Sequence, residues 1–346
     1  MIEPCQHIEL FELQQALAEI FATYHRDPRR VIRLERESSA YRSSFPLEEL
    51  TVWFEDREPL KLIFKNLNPR ALTAAARAAK PEFLDDPLRE IELYRSLLDS
   101  RQLGTALYYG SVVDVPAGRF WLFLEKVEGR ELYQVGEFEI WRQTARWLAR
   151  LHSRYRTADS LPLAANARLI CYDAAYYERW LERASSCLLR TKEGEQATKQ
   201  GCWQQLAAWY PQVVRELTAL PATLIHGEFY ASNVIVQGTL PSLRVCPVDW
   251  ERAALGPGLI DLAALVAGNW TELQKRDLAM EYLAELQTCR IDAPQPEAFL
   301  RELHLCRLHL AVQWLGWSQN WSPPREHQQD WLMEAVNNAH ALGWGD

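Results

Sequence analysis

A chain of 346 residues with 48% hydrophobic content is long enough for one or two domains with a sizeable core. Its 46 acidic and 38 basic residues leave a net charge of −8, which argues against nucleic acid or an anionic membrane as partner, since both need clustered Lys and Arg, and mildly favours a cationic small substrate. Seven scattered cysteines without a CxxC pair, a start (MIEPCQHIEL) lacking basic and apolar leader regions, and no apolar run near about 18 residues suggest a soluble, cytoplasmic protein with reduced thiols.

In chain order, Leu10, Leu13, Leu17, Ile20 and Phe21 recur at helical spacing and predict a helix over 8–24. Three alternating segments follow, RVIRLERE, EELTVWFED and PLKLIFKNL, and each reads as a strand. In the third, Leu60, Leu62 and Phe64 share one face, and Lys61, Ile63 and Lys65 the other. A helix is expected over 83–99, then strands at TALYYGSVV and RFWLFLEKV. Beyond Val127 the periodicity becomes helical, at 137–155, 172–190, 200–218, 271–288, 295–318 and 328–342, with strand character only within 222–252. The expected organisation is α+β: residues 1–127 form a small antiparallel-sheet unit with one helix, and 128–346 a larger, mainly helical unit.

The segment LIHGEFYASNVIV, residues 224–236, packs a histidine, a carboxylate and an asparagine into a loop between strand-like runs. Phosphoryl transfer needs such groups: a proton acceptor for a hydroxyl, hard oxygen ligands for Mg²⁺ and a cation for the phosphates. Glu228 suits the proton acceptor, with His226 bracing the loop behind it. Asn233, together with Asp249 at the end of the apolar run VCPVDWERA, suits the metal. Lys65 suits the phosphates, and either Glu90 or Glu92 could hold its ammonium.

These motifs together resemble the aminoglycoside phosphotransferase and choline kinase family, which has a bilobal, protein-kinase-like fold. The family pattern HGDxxxxN, a following I-D-[FWL]-[EG] strand end and a G-x-x-x-x-D-L-A helix start correspond to HGEFYASN, VDWE and GPGLIDLA. FLEKVEGREL and ARWLARLHS match in order, so the resemblance spans about residues 30–320. It implies that Glu228 stands in the catalytic aspartate's place and that Asn233 and Asp249 bind Mg²⁺. Lys65 would contact the α and β phosphates with Glu90 as ion-pair partner, Glu125 to Val127 would form the hinge meeting adenine, and Asp261 would brace the catalytic loop. The glycine-rich phosphate loop is replaced by SSAYRSS, where Ser38, Ser39, Ser43 and Ser44 offer hydroxyls and N–H groups.

Trp314, Trp317 and Trp321 recur on one helical face. WLGWS resembles the W-x-x-W pair of choline kinases, although core packing produces the same spacing. Trp270 and the acidic Glu251, Glu272 and Glu281 are further candidates for an acceptor pocket, whereas His152, His304 and His309 read as structural. The implied activity is transfer of the γ-phosphate of ATP (or GTP) to a hydroxyl of a small, amine-bearing or sugar-like acceptor. The alternatives are a choline- or ethanolamine-type kinase with a Trp-lined pocket, and a non-catalytic binding protein of the same fold. The oligomeric state is left open.

Overall fold

Alternation decides the first sheet. In β3 (Leu60–Asn66), Leu62 and Phe64 face one side while Ile63 and Lys65 face the other; β5 (Arg119–Glu125) sets Trp121 and Phe123 against Phe120, Leu122 and Leu124. With β1 (Val31–Ser38), β2 (Leu47–Phe54) and β4 (Tyr108–Asp114) they form an antiparallel sheet in the order β1-β2-β3-β5-β4. The register pairs Leu50 with Leu62 and Phe64 with Phe123. One face packs on Leu13, Leu17 and Phe21 of α1 (Leu10–Thr23), each fully buried and each contributing about 1.5–3 kcal/mol. A Cβ on Gly110 would lie 2.7 Å from Ile20, so glycine lets α1 settle directly on β4. The computed structural model describes residues 8–23, 29–39, 41, 44–98, 100–156, 168–188, 196–317 and 329–344.

Three short helices lie between β3 and β4: α2 (Ala74–Ala79), α3 (Arg89–Ser96) and α4 (Ser100–Leu103). Thr73 caps α2 by accepting from the Ala76 N–H. The helix expected over 83–99 is divided. A single 3₁₀ turn at Glu82–Leu84 is followed by a break before α3, because Pro87 disfavours helical backbone at Asp86.

After β5 the chain is mainly helical, with α5 (Phe138–Arg154), α6 (Ala174–Leu188), α7 (Gln196–Ala219), α8 (Leu259–Leu265), α9 (Glu272–Thr288), α10 (Pro296–Trp317) and α11 (Trp331–Ala341). α10 packs against both α6 and α11. Two three-stranded sheets are set among these helices. β6 (Arg130–Glu131), β9 (Val234–Gln237) and β10 (Arg244–Pro247) order as β10-β9-β6; β7 (Ile170–Cys171), β8 (Ala222–Ile225) and β11 (Ala254–Pro257) order as β7-β11-β8. β6, β7 and β11 are strands beyond those expected: two are only two residues long, and the ALGP of β11 reads as a turn. These sheets hold the 226–233 loop between β8 and β9 and the 248–253 turn between β10 and β11. Among the described residues, no helix is long and apolar enough to cross a membrane.

Candidate active site

The start of the 226–233 loop is clamped by Asp261, the third residue of α8 and fully buried. Its carboxylate accepts from the backbone N–H of His226 (2.6 Å) and of Gly227 (2.9 Å). Both are charge-assisted bonds. His152 of α5 stands 3.4 Å from Asp261, and its other ring nitrogen lies 2.8 Å from Tyr282 Oη. Gly227 has φ +81°, and a Cβ there would meet the Arg252 carbonyl oxygen at 2.3 Å, so the loop and the 248–253 turn touch back to back.

His226 braces the loop. Its Nε2 lies 2.9 Å from the Val248 carbonyl, which can only accept, so Nε2 carries the proton. Nδ1 then accepts from the Glu228 N–H at 3.3 Å. Burial lowers the imidazole pKa and keeps the ring neutral, packed 4.5 Å from Trp250.

Asn233 uses its amide N–H on the Glu228 carbonyl (3.0 Å), which leaves Oδ1 without a protein partner among the described residues. Asp249 follows β10 in the left-handed region, with φ 64° and ψ 60°. That backbone costs a non-glycine residue about 1–3 kcal/mol. Lys65 Nζ, on a residue 3% exposed, is 2.8 Å from both oxygens of Glu90 and 2.7 Å from Asp249 Oδ1. Burial alone would lower its pKa; the two carboxylates outweigh that and raise it, so the ammonium stays charged. Glu90 is therefore the partner of Lys65, while Glu92 pairs with Arg95 on the helix surface. Burial pushes the Glu90 carboxyl up to about 7. Glu90 is spent on Lys65 through both oxygens, whereas Asp249 and Asn233 Oδ1 present hard oxygens of the kind Mg²⁺ takes, and Mg²⁺ needs few protein ligands.

Lys65, Asn233 and Asp249 open on one cleft whose apolar walls are Ile63, Ala106, Leu124, Val127, Ile235 and Val248, with Glu125 at its rim. The Glu125 carboxylate is held by Arg244 through two 2.8 Å bonds. Glu228 lines the adjoining cleft with Ser39, Tyr230, Trp314 and Trp317, and with Phe45, Leu47 and the alanines of α2. Trp314 stacks on Trp331 (5.1 Å, 6°) and lies 5.5 Å from Tyr230. The Ser39 hydroxyl is 3.1 Å from a Glu49 carboxylate oxygen, and Ser44 donates to Glu251 at 2.6 Å. Ser43 and Trp321 lie outside the described residues.

Four sequence candidates, Glu251, Trp270, Glu272 and Glu281, do not line the Glu228 cleft. Glu251 is buried and engaged by Ser44 and by Lys80 (3.0 Å). Trp270 packs on Phe138 (5.4 Å) and Trp141 (4.7 Å) of α5, because the chain leaving α8 turns toward that helix. Glu272 pairs with Lys275 and Arg307, and Glu281 with Arg146. His309 is neutral, its pKa lowered to about 3 by burial and by Arg252, and bonded to Tyr210. Sequence reasoning missed Arg252, whose Nη1 donates to Glu228 Oε1 at 2.9 Å. It stands inside the VDWERA segment read for Asp249, but nothing in its spacing shows which carboxylate it meets.

Residues 47–303 match the sequence profile of the phosphotransferase enzyme family. The chain belongs to this family. It is thus a phosphotransferase, of a family that acts on hydroxyl acceptors and in general uses a nucleotide and a divalent metal. No curated protein sequence matches it. Solved structures share its protein-kinase-like α+β fold at low identity. A putative aminoglycoside phosphotransferase from Ralstonia eutropha is 16% identical, with 98% of each chain covered and a TM-score of 0.61. The choline kinase LicA from Streptococcus pneumoniae is 14% identical, covering 96% of this phosphotransferase and 99% of LicA, with a TM-score of 0.52. An ethanolamine kinase from Plasmodium vivax is 12% identical, covering 90% and 82%, with a TM-score of 0.54.

Proposed function

We propose that this protein is a cytoplasmic kinase that transfers the γ-phosphate of ATP to a hydroxyl of a small acceptor. Residues 1–127 would bind the nucleotide, and 128–346 would carry the catalytic loop and the acceptor. The observation that carries the reading is the adjacency of two clefts, one ending at Lys65, Asn233 and Asp249, the other at Glu228. Glu228 would orient the acceptor hydroxyl and take its proton as the new O–P bond forms and the bond to the departing ADP breaks. General-base assistance of this kind contributes about 10²–10⁴-fold. Lys65, fixed by Glu90, would neutralise phosphate charge, and the Glu125–Val127 segment would meet the base. Mg²⁺ held by Asn233 and Asp249 would neutralise charge on the transferring phosphate.

The acceptor cleft favours a molecule with an apolar body. Its apolar lining is Phe45, Leu47, α2 alanines and the indoles of Trp314 and Trp317, with Ser44, Glu48, Thr73 and Lys80 as polar groups among them. The same two indoles support a second reading, an amino alcohol whose cation meets an aromatic face, worth about 0.5–2 kcal/mol. ADP release should be measured against a panel of neutral alcohols, choline- and ethanolamine-like amino alcohols, sugars and aminoglycosides. Glu228→Gln should lower kcat on the best acceptor by at least about 100-fold while nucleotide affinity is kept. Absence of transfer to every acceptor by the wild type, or a near-wild-type Glu228→Gln, would overturn the proposal.

A further inference from the structure

Arg252 is an unusual charge to find beside an acceptor cleft. Its side chain is 1% exposed, and such burial is costly for a guanidinium unless it is paired. The group is held from several sides. It lies 5.2 Å from the Trp317 ring and 5.7 Å from Trp180, and Nη2 donates to Tyr176 Oη at 3.3 Å. Its ion-pair partner is not a structural carboxylate elsewhere in the core. It is Glu228, whose side chain remains 24% exposed and opens on the acceptor cleft.

The contact divides the carboxylate. Oε1 of Glu228 accepts from Arg252 Nη1, and Oε2 has no hydrogen-bond partner among the described residues. Glutamate has one more torsion than aspartate, so its carboxylate sweeps a wider arc unless something holds it. Arg252 supplies that hold from a fixed frame, because the loop carrying Glu228 and the turn carrying Arg252 already touch at Gly227.

We propose that Arg252 is the positioning residue for Glu228: it grips one carboxylate oxygen and leaves the other to face the acceptor hydroxyl, so the two residues act as one unit. The inference rests on Glu228 being the proton acceptor of the transfer proposed above. It also gives Trp317 two tasks, as a wall of the cleft and as a flank of the guanidinium.

A double-mutant cycle tests this, using ADP release with Mg-ATP and the best acceptor of the panel. Arg252→Met should lower kcat by about 30–100-fold and move the KM for Mg-ATP by less than about threefold. Arg252→Lys keeps the charge but not the planar fork beside the two indoles, and should lose about tenfold. In the Glu228→Gln background both effects should vanish, because residues that act as a unit are not additive. Should Arg252→Met fail to fold with Glu228 unpaired, the Arg252→Lys comparison carries the same cycle. Arg252 variants within about threefold of wild-type kcat would overturn the proposal, and so would losses that persist in full beside Glu228→Gln. A wild type inactive on every acceptor would instead remove the phosphotransfer reading, and this inference with it.

Discussion

Replacing Gly227 by alanine tests the joint between the 226–233 loop and the 248–253 turn. Two penalties arise. At φ +81° a side chain is in the left-handed region, which costs about 1–2 kcal/mol. The new Cβ would also stand 2.3 Å from the Arg252 carbonyl oxygen, where ordinary contact begins near 3.4 Å, so loop and turn must part by about an ångström. The obstructing atom is backbone and has no rotamer to change, and overpacking of this kind costs about 1–3 kcal/mol more. The expected destabilisation is therefore about 2–5 kcal/mol. Under the proposed mechanism the same ångström moves the Glu228 carboxylate off the acceptor hydroxyl, and a displacement of that size should lower kcat by about 100-fold. Gly238→Ala is the control: φ is +84°, but the nearest obstacle, the Ser242 carbonyl, is at 3.3 Å. It should lose only about 1–2 kcal/mol and keep its kcat. Urea midpoints and ADP-release kinetics on the three proteins decide the matter. A Gly227→Ala variant as stable and active as wild type would refute the reasoning, and so would a Gly238→Ala variant that loses as much activity.

The two tryptophan sites should separate. Trp314→Ala should raise the acceptor KM by roughly tenfold, whereas Trp270→Ala, packed on Phe138 and Trp141, should leave it within about twofold and cost about 2 kcal/mol of stability. Equal KM effects would contradict the assignment. Acid titration of stability should expose the Glu125–Arg244 pair. Burial pushes the Glu125 carboxyl up, but Arg244 and the Leu107 N–H outweigh it and hold its pKa below the ordinary value. A depressed folded pKa gives stability that is present above the unfolded pKa and is lost as pH falls through the folded one. The stability gap between wild type and Arg244→Met should thus be widest near neutrality and narrow below about pH 4. Denaturant midpoints at both pH values would show it, and an unchanged gap would count against the pair.

Elements with a strong period were legible from sequence. The alternation of LKLIFKN and RFWLFLE survives as β3 and β5, and the long helices α5, α9 and α10 begin and end within a few residues of their apolar periodicity. Short elements were not. α2 is five alanines and an arginine, with no amphipathic stripe to read, and the two-residue β6 and β7 exist only because β9 and β11 pair with them. In the site, residues close in sequence were the readable ones: the 226–233 loop, and Asp249 at a strand end. What sequence could not resolve was pairing at a distance. Glu90 and Glu92 sit on one helix with equal chemistry, and only the direction each faces assigns Lys65 to the first. Glu251 carries the charge expected of an acceptor contact, but Lys80, 171 residues away, uses it first. Trp270 and Trp314 are the same residue type in similar settings, and the packing of α5 against the end of α8 separates them.

Asp249, Trp250, Glu251 and Arg252 are consecutive, yet they serve four destinations: Lys65, the His226 ring, Lys80 and Glu228. Each neighbour points to a different target, so the quartet leaves little slack in length. Losing or gaining one residue there would hand every side chain its neighbour's assignment. Evolution could thus retune the chemistry of this corner by substitution, but insertions and deletions would be purged from it.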